Sequence, residues 1–109
     1  MSDKPVVPRR QAKRDIDDAL AYYLAEGSPQ AALAFIDALE RAYVHIANYP
    51  TSGSIHYAHE LNLPGLRCWP LTDFPYLIFY VEQPGHLDIW RVLHGKRDIP
   101  AGLQAEHTP

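Results

Sequence analysis

From about residue 9 to residue 48 the apolar positions recur every three or four residues, and from about residue 61 to residue 94 they crowd into short runs. The first spacing is that of amphipathic helices and the second that of strands. Ala12, Ile16, Ala19 with Leu20, and Tyr23 with Leu24 form one helical stripe, which Gly27 closes. Ser28 followed by Pro29 starts a second helix, because the hydroxyl accepts from a free amide and proline sits where no amide bond is needed. Its stripe is Ala32, Phe35 with Ile36, Leu39, Ala42 with Tyr43, and Ile46, and Tyr49-Pro50 stops it at about Asn48. The pattern predicts a helical hairpin joined at Gly27.

Ahead of the hairpin, residues 4–8 read as a short extended strand, and Pro5 and Pro8 confine it to a sheet edge. Residues 51–60, with Gly53 and two histidines, read as a loop. Three strands are predicted at about 61–70, 74–82 and 86–94, with Asp73 and Pro84-Gly85 near the turns, so consecutive strands pair antiparallel. In the last strand the pleat sets Leu87, Ile89, Arg91 and Leu93 against Asp88, Trp90, Val92 and His94. In the strand before it Tyr76, Ile78 and Tyr80 oppose Leu77, Phe79 and Val81. Both faces of this sheet are apolar, and the hairpin covers only one. A partner surface is therefore expected on the other, with the 51–60 loop or the C-terminal tail as the alternative cover.

One hundred and nine residues make a single domain, 1–109, with a core at about 4–103 and a tail at 104–109. The class is α+β: an N-terminal edge strand, a helical hairpin, then a three-stranded antiparallel sheet in two layers. A net charge of −3 gives no bulk attraction to nucleic acid or to an anionic membrane. Its distribution is uneven, since residues 1–14 carry +4 and residues 15–60 carry −6. With Cys68 the one cysteine, no apolar leader and no run long enough for a membrane span, a reducing cytoplasm is the expected location.

The runs Leu66-Arg67-Cys68-Trp69-Pro70-Leu71, Phe74-Pro75-Tyr76-Leu77-Ile78-Phe79-Tyr80 and Ile89-Trp90-Arg91-Val92-Leu93-His94-Gly95-Lys96-Arg97-Asp98-Ile99-Pro100 follow one another, after a first helix with Ala12, Asp15, Ile16 and Tyr22-Tyr23. In order and spacing the chain resembles the RelE/ParE superfamily of toxins over residues 4 to about 103, on the ParE side. The resemblance implies a non-enzymatic toxin of a type II toxin-antitoxin system, which inhibits DNA gyrase by trapping its cleaved-DNA complex. It further implies a cognate antitoxin that neutralises the toxin in a hetero-oligomer, laying an apolar segment on it as a helix in a groove or as an added strand. The DNA contacts of such assemblies come from the antitoxin, so no direct specific DNA binding is expected, and no cofactor.

The rival is a ribosome-dependent messenger RNA endoribonuclease of RelE type, built on Arg67, His94 and Arg97; a third reading is an antitoxin-binding scaffold without toxicity. Nuclease chemistry needs cations converging on developing phosphate charge. By position against the nuclease branch, the arginine expected early in the third strand falls at Leu77 and the C-terminal aromatic near Leu103. Neither leucine holds a phosphate or moves a proton. No catalytic residue is therefore assigned, and Arg67, Trp90, His94, Lys96 and Arg97 are the candidates for contact with target or antitoxin.

Other residues read more simply. Arg91 shares its pleat face with leucines and isoleucine and predicts an ion pair with an acid from the helices, since a lone buried charge is costly. Asp15, Asp17 and Asp18 suit the positive end of the first helix dipole, and Arg9, Arg10, Lys13 and Arg14 read as a solvated basic face paired with them. Trp69 reads as packing. His56 and His59 with Glu60 lie in the predicted loop without a cysteine, so no metal site is assigned. Cys68, flanked by apolar strand residues, reads as an inert core thiol.

Overall fold

The structure, a computed structural model, describes residues 4–107. The elements are β1 (Val6–Pro8), α1 (Arg10–Ala25), α2 (Pro29–Asn48), a single 3-10 turn at Pro50–Ser52, α3 (His56–Leu61), β2 (Leu66–Pro70), β3 (Tyr76–Glu82), β4 (Leu87–His94) and α4 (Ile99–His107). The class, and the order of β1, the helical hairpin and the strands β2 to β4, are as the sequence predicts, while α3 and α4 are additional. The α1–α2 junction follows its local signals: Gly27 takes a positive φ of 75° after the helix end, and the Ser28 hydroxyl accepts from the Ala31 amide at 3.2 Å.

β1 joins the antiparallel strands as a fourth, in the order β1-β4-β3-β2, and runs parallel to β4. The edge position of β1 is the one its prolines dictate. β2 forms the other edge, and that edge is largely closed: the Cys68 amide and carbonyl both bond to Ser54, the Leu66 amide donates to the Leu63 carbonyl, and Pro70 has no amide to offer.

The strict alternation expected along β4 fails at Trp90. Phe79 pairs with Arg91 and Tyr80 with Ile89, so Trp90 is an extra residue in β4, a β-bulge. Leu87, Ile89 and also Val92 therefore face the hairpin, while Trp90 and Leu93 face away. The β3 alternation holds, with Ile78 and Tyr80 toward the hairpin and Phe79 away.

Two cores result. The hairpin core packs Ala12, Ala19, Phe35, Leu39 and Ile46 on Ile78, Tyr80, Ile89 and Val92. The second lies on the opposite face, where Leu66, Cys68, Phe79, Trp90 and Leu93 are covered by Ile99 and Leu103 of α4 and by Tyr57, Ala58 and Leu61 of α3. The partner surface expected on this face is thus a correction: the chain covers it with its own short helices. The 51–60 segment holds a turn and most of α3 instead of a loop, and what was read as a tail at 104–109 is, as far as His107, the end of α4. Thr108 and Pro109 lie outside the described residues.

Candidate functional site

Along the inner side of α1, Asp15, Asp18 with Ala19, and Tyr22 with Tyr23 fall one helical turn apart. They face the start of β3 and the end of β4, where Pro75, Tyr76, Val92 and His94 supply the opposite wall, and Arg97 joins from the following turn. Between them lies a groove of about 410 Å³.

Its floor is polar but internally satisfied. Asp15 accepts from Arg91 Nε at 2.7 Å and Nη2 at 2.8 Å, and from the Val92 amide at 3.0 Å, all buried. The predicted partner for Arg91 is found, and Asp15, read from the sequence as suiting the dipole of α1, is instead the buried acid of that pair. Hydrogen bonding to Asp15 raises the Arg91 guanidinium above its ordinary range against the opposing effect of burial. Arg91 Nη1 also donates to the Gly102 carbonyl of α4 at 3.3 Å, so one side chain ties α1, β4 and α4 together.

The walls are aromatic. Tyr22 and Tyr23 meet edge to face with centroids 5.2 Å apart, and Tyr76 and His94 do the same at 5.2 Å. Burial, then the neighbouring Tyr23, Tyr22 and Asp18, push the Tyr76 phenol up. His94 Nδ1 accepts from the Lys96 amide at 3.1 Å, so in the neutral imidazole the proton is on Nε2. The turn is pinned further by the Gly95 amide on the Pro75 carbonyl at 2.8 Å and by the Arg97 amide on the His94 carbonyl at 3.0 Å. The side chains of Lys96 and Arg97 make no hydrogen bond or ion pair with the described residues.

Of the sequence candidates, His94 and Arg97 meet in this groove and Lys96 lies in the exposed turn between them. Arg67 is elsewhere. Its Nη1 donates to the Thr51 carbonyl at 2.9 Å and the Gly53 carbonyl at 3.0 Å, and it lines a separate cleft with Ala58 and His59. Trp90 is corrected from surface anchor to core residue, 8% exposed, with Nε1 3.2 Å from Asp88 and the Arg9 guanidinium 4.6 Å from its ring centre. Arg9 in turn pairs with Asp88 at 2.9 Å and Glu106 at 3.3 Å, not with the aspartates of α1. Burial alone would lower its pKa, but the two carboxylates outweigh that and raise it.

Asp18 and the tyrosines were missed as site residues. The signal available was the repeat of Asp18, Tyr22 and Tyr23 on one side of α1, with Tyr22 offset from the apolar stripe. His56 lies on α3 and pairs with Glu60 at 2.8 Å, and among the described residues no group of three or more histidine, cysteine or carboxylate side chains is placed to hold a metal. Nor is any described helix long and apolar enough to cross a membrane.

Cys68 behaves as read: it is buried, and desolvation pushes its thiol up to about 11. A disulfide-exchange reagent at pH 8 is expected to leave the folded protein unlabelled and to label one thiol per chain in denaturant. Rapid stoichiometric labelling of the native protein would contradict the packing of β2.

A family model for the ParE toxin of the type II toxin-antitoxin system, parDE, matches residues 6–99. The chain belongs to the ParE toxin family. No curated protein sequence matches it significantly. Among solved structures, a chain described as "Chromosomal ParDE TA system from P. aeruginosa" is similar, with a TM-score of 0.69 and 17% identity over 84% of this chain and 96% of that one. At that identity the likeness is one of fold. As a ParE toxin, this protein has the hairpin anticipated from its first half and the three antiparallel strands anticipated from its second-half runs, and the 6–99 match includes β1 and the Gly-Lys-Arg turn.

Proposed function

We propose that this ParE-family protein is a non-enzymatic toxin that inhibits DNA gyrase by trapping its cleaved-DNA complex, and that a cognate antitoxin neutralises it. The observation that carries the non-enzymatic reading is the dispersal of the positions a nuclease would use. Leu103 is fully buried under the sheet and Leu77 packs against the same core. Arg67 is committed to two backbone carbonyls, away from the groove that Arg97 and His94 line. One uncommitted arginine beside a histidine does not surround a scissile phosphate with converging positive charge.

His94, Lys96 and Arg97, presented on a pinned turn with two cationic side chains that pair with no described residue, are the residues proposed to contact the target or the antitoxin. The closed β2 edge and the three-residue β1 bounded by Pro5 and Pro8 favour an antitoxin that docks side chains into a groove over one that adds a strand.

The test is a plasmid assay with purified gyrase, ATP and the antitoxin-free protein. Linear DNA is expected after detergent and protease treatment, and it is expected to fall about tenfold or more with Arg97→Ala. No linear product from a folded sample, together with cleavage of translated messages, would instead establish the ribosome-dependent nuclease.

A further inference from the structure

The aromatic groove has an electrostatic sign that the cations of its neighbouring turn conceal. Tyr22, Tyr23 and Tyr76 converge on one space with the Asp18 carboxylate among its lining residues. The face of a phenol ring carries the negative part of its quadrupole and attracts a cation held within about 6 Å of the ring centre. Asp18 makes no hydrogen bond or ion pair with the described residues, even though Arg14 stands one turn before it on α1. The other carboxylate of the groove, Asp15, is neutralised by Arg91. What lines the open space is a set of electron-rich rings with the Asp18 carboxylate and the Arg97 guanidinium, neither paired with a described residue, and Tyr22 of α1 is 57% exposed.

We propose that this groove receives a basic side chain, an arginine or a lysine, carried on a segment of a protein partner, with its charged group among Tyr22, Tyr23 and Tyr76 and against Asp18. A volume of about 410 Å³ is near the lower end of the roughly 300–1,000 Å³ of ligand pockets, which suits one or two long side chains and not a folded element. Arginine fits better than lysine, because its planar guanidinium stacks on rings and bonds a carboxylate at the same time. Arg97, in the same groove, opposes the incoming cation and offers a contact to an acidic or carbonyl group beside it in the segment. A phosphate ligand would meet Asp18 as well as Arg97, whereas a guanidinium gains from both Asp18 and the rings.

The experiment is a titration of the isotopically labelled full chain, followed by NMR, with N-acetyl-arginine amide, and in parallel with N-acetyl-glutamate amide and inorganic phosphate. The arginine compound is expected to give saturable shifts at the Tyr22, Tyr23 and Tyr76 rings. Asp18→Asn is expected to weaken it three- to tenfold and Tyr22→Ala to weaken it at least as much. Arg97→Ala is expected to tighten it up to a few-fold. Asp18 and Tyr22 are both exposed, and the same spectra report whether each variant keeps its fold. Absence of saturable shifts with the arginine compound, indifference to Asp18→Asn, or tighter binding of phosphate or of the glutamate compound would each overturn the assignment.

Discussion

Replacing Asp15 with alanine is expected to destabilise the protein by about 3–5 kcal/mol, the usual consequence of removing one partner from a buried ion pair. The size follows from what the carboxylate does. It accepts two bonds from Arg91 and one from the Val92 amide, and its side chain is only 2% exposed. Without it the Val92 amide loses this acceptor and the buried guanidinium keeps only the Gly102 carbonyl at 3.3 Å, with its charge unpaired. For a domain of this size the melting temperature should fall by more than about 10 °C. Arg91→Met alone should cost a similar amount, whereas Asp15→Leu with Arg91→Met should recover most of the loss, because an apolar pair of suitable volume replaces an ion pair without the desolvation penalty. A double-mutant cycle in urea checks all three. A loss below about 1 kcal/mol for Asp15→Ala would mean that water reaches the pair.

The second large effect is expected at Leu103, which the structure buries completely against Leu93, Phe79 and Trp90 in the second core. Leu103→Ala should cost about 3 kcal/mol, the sum of lost transfer energy and the cavity left behind. It should also loosen α4 as a unit, because Ile99 is the other buried apolar anchor of that helix, whose polar ties include the Arg91 bond to the Gly102 carbonyl and the Arg9 pair with Glu106. Hydrogen exchange should therefore speed up over residues 99–107 and over the α4-facing side of β4 before it changes in the hairpin. Uniform acceleration across the chain would indicate that α4 is not a separate unit of stability.

These two residues show where the sequence could and could not be read. Arg91 announced its need for a buried acid because it sits among leucines and isoleucine, and of the three aspartates on α1 it is Asp15 that falls on the apolar stripe, three residues after Ala12 and four before Ala19. Leu103 was harder. Between Ile99 and Leu103 lie Pro100 and Gly102, which dilute the helical stripe, although Asp98 ahead of a proline is a starting signal and its carboxylate does accept from the Ala101 amide at 3.3 Å. Gly102 is needed for contact and not for flexibility: an added Cβ would lie 3.2 Å from Leu93 and 3.4 Å from the Arg91 guanidinium.

The misplaced Trp90 has the same origin. A period of two assigns faces correctly until one residue is inserted into the ladder, and a bulge leaves no mark in the alternation itself. The sequence by itself determined the order of β1, the hairpin and the strands β2 to β4, the Gly27 and Ser28-Pro29 junction, the edge position of β1 and the family's strand runs, all of which rest on interactions between near neighbours. Only the tertiary structure decided that the second face is covered by the chain's own helices, that Asp15 meets Arg91, that Arg67 and Arg97 lie in different clefts, and that three tyrosines and Asp18 share one groove. Those outcomes depend on residues dozens of positions apart being brought within a few ångströms, and side-chain period carries no record of such distances.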